Sequence, residues 1–212
     1  MKKLALIALV APAFAGEPAP VAVAPAPAPT PSCCALEVGI GHNWGSRDLF
    51  KHEAGSSKEV DTVSIDLTAV HAFTPHHALT FRIGAAQGDE TMHYSDARIK
   101  EYLRTISVMP GYRYTTPVGE KTSVFAGVNV GAVNQRVRAK QTSPTVAFAD
   151  SDSAWGFGAT AEIGVSYQLC PCSSVFAAYQ LSGNTARNTI DGDTKNHRQI
   201  HNGIRTGVSI RF

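Results

Sequence analysis

The stretch Asn202-Gly-Ile-Arg-Thr-Gly-Val-Ser-Ile-Arg-Phe212 decides the fold. Taken every second residue, one side carries Ile204, Thr206, Val208, Ile210 and Phe212. The other carries Gly203, Arg205, Gly207, Ser209 and Arg211. Successive side chains of a β-strand leave opposite faces, so this is a strand with one apolar and one polar face. The same period recurs upstream, and eight such runs can be read between Ala35 and Phe212. The cleanest sets Trp155, Phe157, Ala159, Ala161, Ile163, Val165 and Tyr167 against Gly156, Gly158, Thr160, Glu162, Gly164, Ser166 and Gln168.

The connections between runs sort by length. Three are short, around Pro75, around Gly119 and at Cys170-Pro171-Cys172-Ser173, where proline presets a turn and cannot donate to a ladder. Four are long and polar: about 46–59, 89–97, 139–153 and 182–199. Short turns at one end and long loops at the other are the layout of a transmembrane β-barrel with an even strand count. A tilted strand crosses a bilayer in about 9–11 residues, which these runs match. Aromatic residues fall at both ends of the runs, with Phe73, Tyr112, Tyr114, Tyr167 and Phe212 by the short turns and Trp44 and Trp155 by the long loops. Those positions are interfacial girdles. Charged residues make up only 17% of the chain, with a formal net charge of +2, and no nucleic-acid partner is expected.

The N-terminus reads as a secretory signal. Met1-Lys2-Lys3 is a positive n-region, Leu4 to Val10 a short apolar run, and Ala13-Phe14-Ala15 a small-x-small cleavage site. The expected domain plan is therefore signal peptide 1–15, Pro/Ala-rich leader 16–34 and barrel 35–212. Proline at alternate positions makes the leader an extended tether, spanning roughly 50 Å, that serves as a periplasmic spacer or a contact with the cell wall, or simply as a disordered leader that keeps the chain soluble during export.

The terminal strand resembles the C-terminal signal of bacterial outer-membrane β-barrels, read by the barrel-assembly machinery, with Ile204, Val208, Ile210 and Phe212 in the signal positions. The region Ala35 to Phe212 resembles the OmpA- and OmpX-type eight-stranded barrels in pattern and layout. The resemblance implies an all-β, antiparallel up-and-down transmembrane barrel in the outer membrane, monomeric and without a cofactor. Its surroundings would be outer-membrane lipids and lipopolysaccharide. Relatives with this layout stabilise the envelope, adhere to surfaces or resist host defences, and a surface ligand would be met by the loops. A soluble, lipocalin-like barrel is the alternative, in which the polar faces would point outward.

Parity places Glu37, Asp66, Arg82, Arg113, Glu162, Arg205 and Arg211 inside a lumen just wide enough for side chains. Buried charges need partners. Register from the short turns sets Asp66 level with Arg82, and Glu37 near Arg211. Either a salt-bridged plug or a narrow gated pore, with Glu162 alternating between Arg113 and Arg205, fits that set. Arg104 and Arg136 face outward near the long-loop rim, with Arg138 and Lys140 in the adjoining loop. Guanidinium forks suit phosphate, so these residues either contact lipopolysaccharide or snorkel into solvent. In an oxidising compartment, Cys33 and Cys34 are expected to bridge to Cys170 and Cys172. No metal site and no catalytic set are expected. His93-Tyr94-Ser95 only partly resembles the His and Ser of outer-membrane lipid A deacylases, and it lacks a matching carboxylate.

Overall fold

The computed structural model describes residues 34–47, 61–93, 98–142, 147–190 and 193–212. The signal peptide, the leader with Cys33, and Tyr94-Ser95 lie outside the described residues. Eight strands follow in chain order: β1 (Cys34–Arg47), β2 (Thr62–Ala72), β3 (His77–His93), β4 (Arg98–Pro117), β5 (Thr122–Thr142), β6 (Ala147–Cys170), β7 (Ser173–Ile190) and β8 (Asp193–Arg211). Each pairs antiparallel with its sequence neighbour, and β8 pairs with β1, so the sheet closes on itself. Over the part of the strands that crosses the bilayer, closure gives every strand a partner on both sides, the condition for β-structure in hydrocarbon.

The faces are sorted as a bilayer requires. Ile163 is 58% exposed, while its neighbour Glu162 is 5% exposed. Ile40, Ile65, Val128 and Val208 look outward in the same way, whereas Thr68, Asn129 and Arg205 are buried. A contiguous outward coat of Ile, Val and Leu would be a severe liability in water, and it is the coat that lipid demands. Phe73, Tyr114, Tyr167 and Phe212 stand exposed at the turn end, with Trp155 and Phe157 toward the rim.

The three short turns are tight. At Pro75 the Phe73 amide donates to the His77 carbonyl at 3.0 Å, and the Thr74 hydroxyl accepts from the His77 amide at 3.0 Å. At Gly119 the Val118 amide donates to Thr122 at 3.0 Å. The third is a two-residue loop, Pro171-Cys172, between the paired residues Cys170 and Ser173, with a register shift at Gln168 to Cys170. Phe212 donates its amide to the Cys34 carbonyl at 3.1 Å, and Arg211 donates to Cys172 at 2.8 Å, so both flanks hold the end of β8.

At the other end, three of the four polar connections differ from the loops that the sequence suggests. Ladder pairing continues to His93↔Arg98, Thr142↔Ala147 and Ile190↔Asp193. β6 alone runs 24 residues, about twice the length that crosses a bilayer. These segments are polar on both faces, so they lose the apolar alternation that marks a strand. The register set within the membrane carries β3 to β6 on as one four-stranded sheet above the bilayer and β7 with β8 as a two-stranded ribbon. The connection 48–60 lies outside the described residues.

Val128 sits mid-strand on the lipid face of β5, paired with Tyr112 and Ala161. Val128→Arg is expected to cost about 2–4 kcal/mol of folding stability in lipid vesicles, and Val128→Leu close to nothing. Urea titration of refolding measures both.

Candidate functional site

Two charged constellations stand out, one inside the barrel and one outside. The inner one is built at the level of Gly39, where the missing side chain leaves room for its neighbours. A Cβ there would lie 2.7 Å from Arg205 Nε and 2.8 Å from Asp66 Oδ2. Arg205 donates from Nη2 to Asp66 Oδ1 at 2.5 Å and from Nε to Oδ2 at 2.8 Å. Arg113 forks onto Glu37, with Nη1 to Oε1 at 2.5 Å and Nη2 to Oε2 at 2.9 Å, and its Nη2 also reaches Glu162 Oε1 at 2.9 Å. Arg82 donates to Glu162 Oε2 at 2.5 Å and approaches Asp66 at 3.8 Å. Arg205 completes the set, 3.6 Å from Glu37 and 3.7 Å from Glu162. Three guanidiniums and three carboxylates therefore form one neutral cluster, all of it buried. Bidentate pairing of this kind supplies geometry as well as energy.

Two aromatic rings lie against the cluster. Phe125 and Phe176 meet edge to face, with centroids 6.4 Å apart, and the Arg113 and Arg205 guanidiniums sit over their faces at 4.6 and 4.5 Å. Cation–π contacts of this sort add to the attraction of paired guanidiniums. Both phenylalanines fall on the polar parity of their strands, so period-two reading alone assigns them no role. Their inward position next to Gly164 and Gly207 is the missed signal: a Cβ on either glycine would meet a ring carbon at 2.5 or 2.6 Å. On the rim side of the charges lies a cavity of about 100 Å³ lined by Asn43, Ser64, Asp66, Arg82, Ser107 and His201. Such a space holds a few waters.

The structure brings together six of the seven charges that parity assigns to the lumen. Arg211 is the exception. It lies opposite Ala35 at the turn end, two pairs beyond the Glu37↔Ser209 pair, and is only half-buried. Glu37 turns across the lumen to β4 instead, where a bidentate fork is available. Arg82 and Asp66 do form an ion pair, at 3.8 Å, although the two are not level. Thr68 is its cross-strand neighbour, and its closest carboxylate is Glu162, from β6.

The outer constellation is a ladder on β4 and β5. Lys100 pairs with Lys140, Tyr102 with Arg138, and Arg104 with Arg136, and all six side chains point away from the lumen. Arg138 and Lys140 are thus strand residues, a correction to their placement in a loop. The flanking strands offer Gln87 and Asp89 on β3, and Ala149, Ser151 and Ser153 on β6. Lys100 lies 3.5 Å from Asp89 and 4.7 Å over the Tyr102 ring, and bonding to the Tyr102 hydroxyl together with that carboxylate raises its pKa. Two directly opposed like-charge pairs disfavour the ribbon unless an anion lies between them.

Cys34 lies beside His71, Sγ to Nδ1 3.6 Å, and Cys170 and Cys172 are exposed thiols. β8 runs between Cys34 and Cys172, since Phe212 bonds the first and Arg211 the second. Two strand spacings, about 9–10 Å, separate them, beyond the roughly 7 Å that a disulfide spans between Cα atoms. A Cys34–Cys172 bridge is therefore not formed in this arrangement. His76 stacks on Tyr114 at 5.9 Å, and His77 contacts the Tyr112 hydroxyl, which makes both part of the turn-end girdle. Ile204, Val208, Ile210 and Phe212 all lie on the outer face of β8.

A closed eight-stranded barrel with a lipid-type coat and a charged lumen is the architecture of an outer-membrane β-barrel protein. The chain matches the model of the outer membrane protein beta-barrel domain over residues 4–212 and belongs to that family. Among solved structures it is similar to Neisserial surface protein A, at 17% identity and TM-score 0.47, covering 85% of this chain and 98% of that one. It is similar to Ail, the attachment invasion locus protein of Yersinia pestis, at 16% identity and TM-score 0.45, covering 84% and 98%. It is also similar in fold to the outer membrane protease OmpT from Escherichia coli, at 8% identity and TM-score 0.50, covering 86% and 98%. No curated protein sequence matches the chain. The likeness to OmpT is one of fold, and fold alone does not decide activity.

Breaking one member of the inner cluster strands the others. Glu162→Gln is expected to lower unfolding stability by about 3–5 kcal/mol, because Arg82 and Arg113 keep their burial and lose a charged partner. Lys100→Gln, at an exposed pair, is expected to leave the same urea midpoint unchanged.

Proposed function

We propose that this protein is a sealed outer-membrane barrel acting as an envelope-structural and surface-interaction (adhesion) protein, with neither an enzymatic nor a conducting role. The observation that carries this reading is the lumen. Its charges are paired wall to wall at one level, backed by Phe125 and Phe176, so an ion would have to displace bidentate pairs to pass. What the barrel presents to the surroundings is its set of extended rim ribbons, and exposed connections are where such scaffolds carry interactions. The export signal, cleaved after Ala15, and the assembly signal of Ile204, Val208, Ile210 and Phe212 belong to the same reading. So does docking of lipopolysaccharide phosphates on Arg104, Arg136 and Arg138, which would supply the anion that the like-charged rungs lack.

Planar-bilayer recording tests the sealed barrel. The wild-type protein is expected to give no resolved conductance steps, and reproducible steps would make it a pore. Replacing Arg104, Arg136 and Arg138 together with Gln is expected to abolish salt-sensitive co-purification of lipopolysaccharide while heat-modifiable gel mobility is kept. Undiminished lipopolysaccharide on that variant would overturn the contact.

A further inference from the structure

We propose that the Cys170-Pro171-Cys172 turn is a thiol–disulfide exchange site, with Cys170 as nucleophile and Cys172 as resolving thiol. Its co-reactant is a disulfide carried by an envelope thiol oxidant. The turn lies at the end of the barrel that holds Phe212, the periplasmic end of an outer-membrane barrel. Both cysteines are exposed, at the first and third positions of a two-residue hairpin turn. Two Cα steps of about 3.8 Å folded back on themselves keep the pair within the separation a disulfide spans. Among the described residues the other cysteine at this end, Cys34, stands on the far side of β8.

The two thiols are not equivalent. Cys170 Sγ lies 2.9 Å from Ser173 Oγ, the residue paired with it across the turn. Bonding from that hydroxyl, supported by the backbone N–H groups of Cys172 and Ser173, holds the Cys170 thiol below the usual range. Cys172 carries its carbonyl in the bond to Arg211, which fixes the turn while leaving its side chain exposed. An exposed cysteine that accepts a hydroxyl hydrogen bond beside a second thiol is the arrangement that exchange requires.

The Cys170 thiolate attacks one sulfur of the oxidant's disulfide, forming a mixed disulfide and releasing the oxidant's other sulfur as a thiolate. Deprotonated Cys172 then attacks Cys170 Sγ, forming the Cys170–Cys172 bond and expelling the oxidant's first sulfur. Two electrons pass from this pair to the oxidant, and the protons from the two thiols pass to solvent or to the released thiolates. A disulfide closing so small a ring on an exposed turn belongs to the labile class, which passes its oxidation on to other thiols.

The test uses the full-length protein, folded in detergent and fully reduced, with oxidised glutathione as probe and peptide mapping by mass spectrometry. The wild type is expected to end with a Cys170–Cys172 disulfide. Cys172→Ser is expected to stop at a glutathione adduct on Cys170. Cys170→Ser is expected to form an adduct on Cys172 more slowly, by roughly threefold or more. Alkylation of Cys170 in the Cys172→Ser variant should have its pH midpoint below that of an unperturbed thiol. Unchanged heat-modifiable mobility in both variants shows that the barrel is intact. Stable adducts on both cysteines of the wild type, linkage of either to Cys33 or Cys34, or equal rates in the two variants would overturn the assignment.

Discussion

Three arginines sit where a transmembrane barrel has no bulk water to solvate them, and everything inside this one is arranged around that fact. Each guanidinium is met by a carboxylate from a different strand: Arg113 of β4 by Glu37 of β1, Arg205 of β8 by Asp66 of β2, and Arg82 of β3 by Glu162 of β6. The Arg113–Glu37 and Arg82–Glu162 pairs span two intervening strands and the Arg205–Asp66 pair spans one, over Gly39 of β1, so the cluster ties the wall together across the lumen. Glycines at Gly39, Gly164 and Gly207 make the room, and two phenylalanines occupy it from below. Paired charge and packed rings in one layer close the lumen at that level.

Closure of the sheet is the second half of that constraint. Six charges can be gathered only if β1 and β8 meet, and they meet over most of the length of β1. The end of β8 is held on both sides, by Cys34 and by Cys172. The lipid coat then follows from parity, since every residue beside a lumen charge must face out. One register shift in β8 would send Arg205 into lipid and Ile204 into the lumen.

Strand existence and face were legible in the sequence because alternation with a period of two is a direct imprint of the sheet. Lumen membership followed for six charges. What the residues did not disclose was which of them meet. Reasoning from register finds neighbours one strand away and so pairs Asp66 with Arg82, but a narrow lumen lets side chains reach several strands across. Arg211 had the right parity and the wrong height. Phe125 and Phe176 were hidden because an apolar residue on a polar parity carries no pattern of its own. The rim extensions of the strands look like loops in the sequence because both of their faces are polar. Cys34 could be placed relative to Cys172 only once the pairing of β8 was known.

Oxygen and water accessibility along β6, from spin labels placed singly from Trp155 to Tyr167 in a lipid bilayer, reports which face of the strand meets lipid. The odd-numbered positions, including Ile163 and Val165, are predicted to be open to oxygen and closed to water-soluble relaxant. The even-numbered positions, including Thr160 and Glu162, are predicted to be shielded from both. Alternation in the opposite phase, or water accessibility at the odd positions throughout, would contradict a barrel that wears its apolar face outward around a neutral charged core.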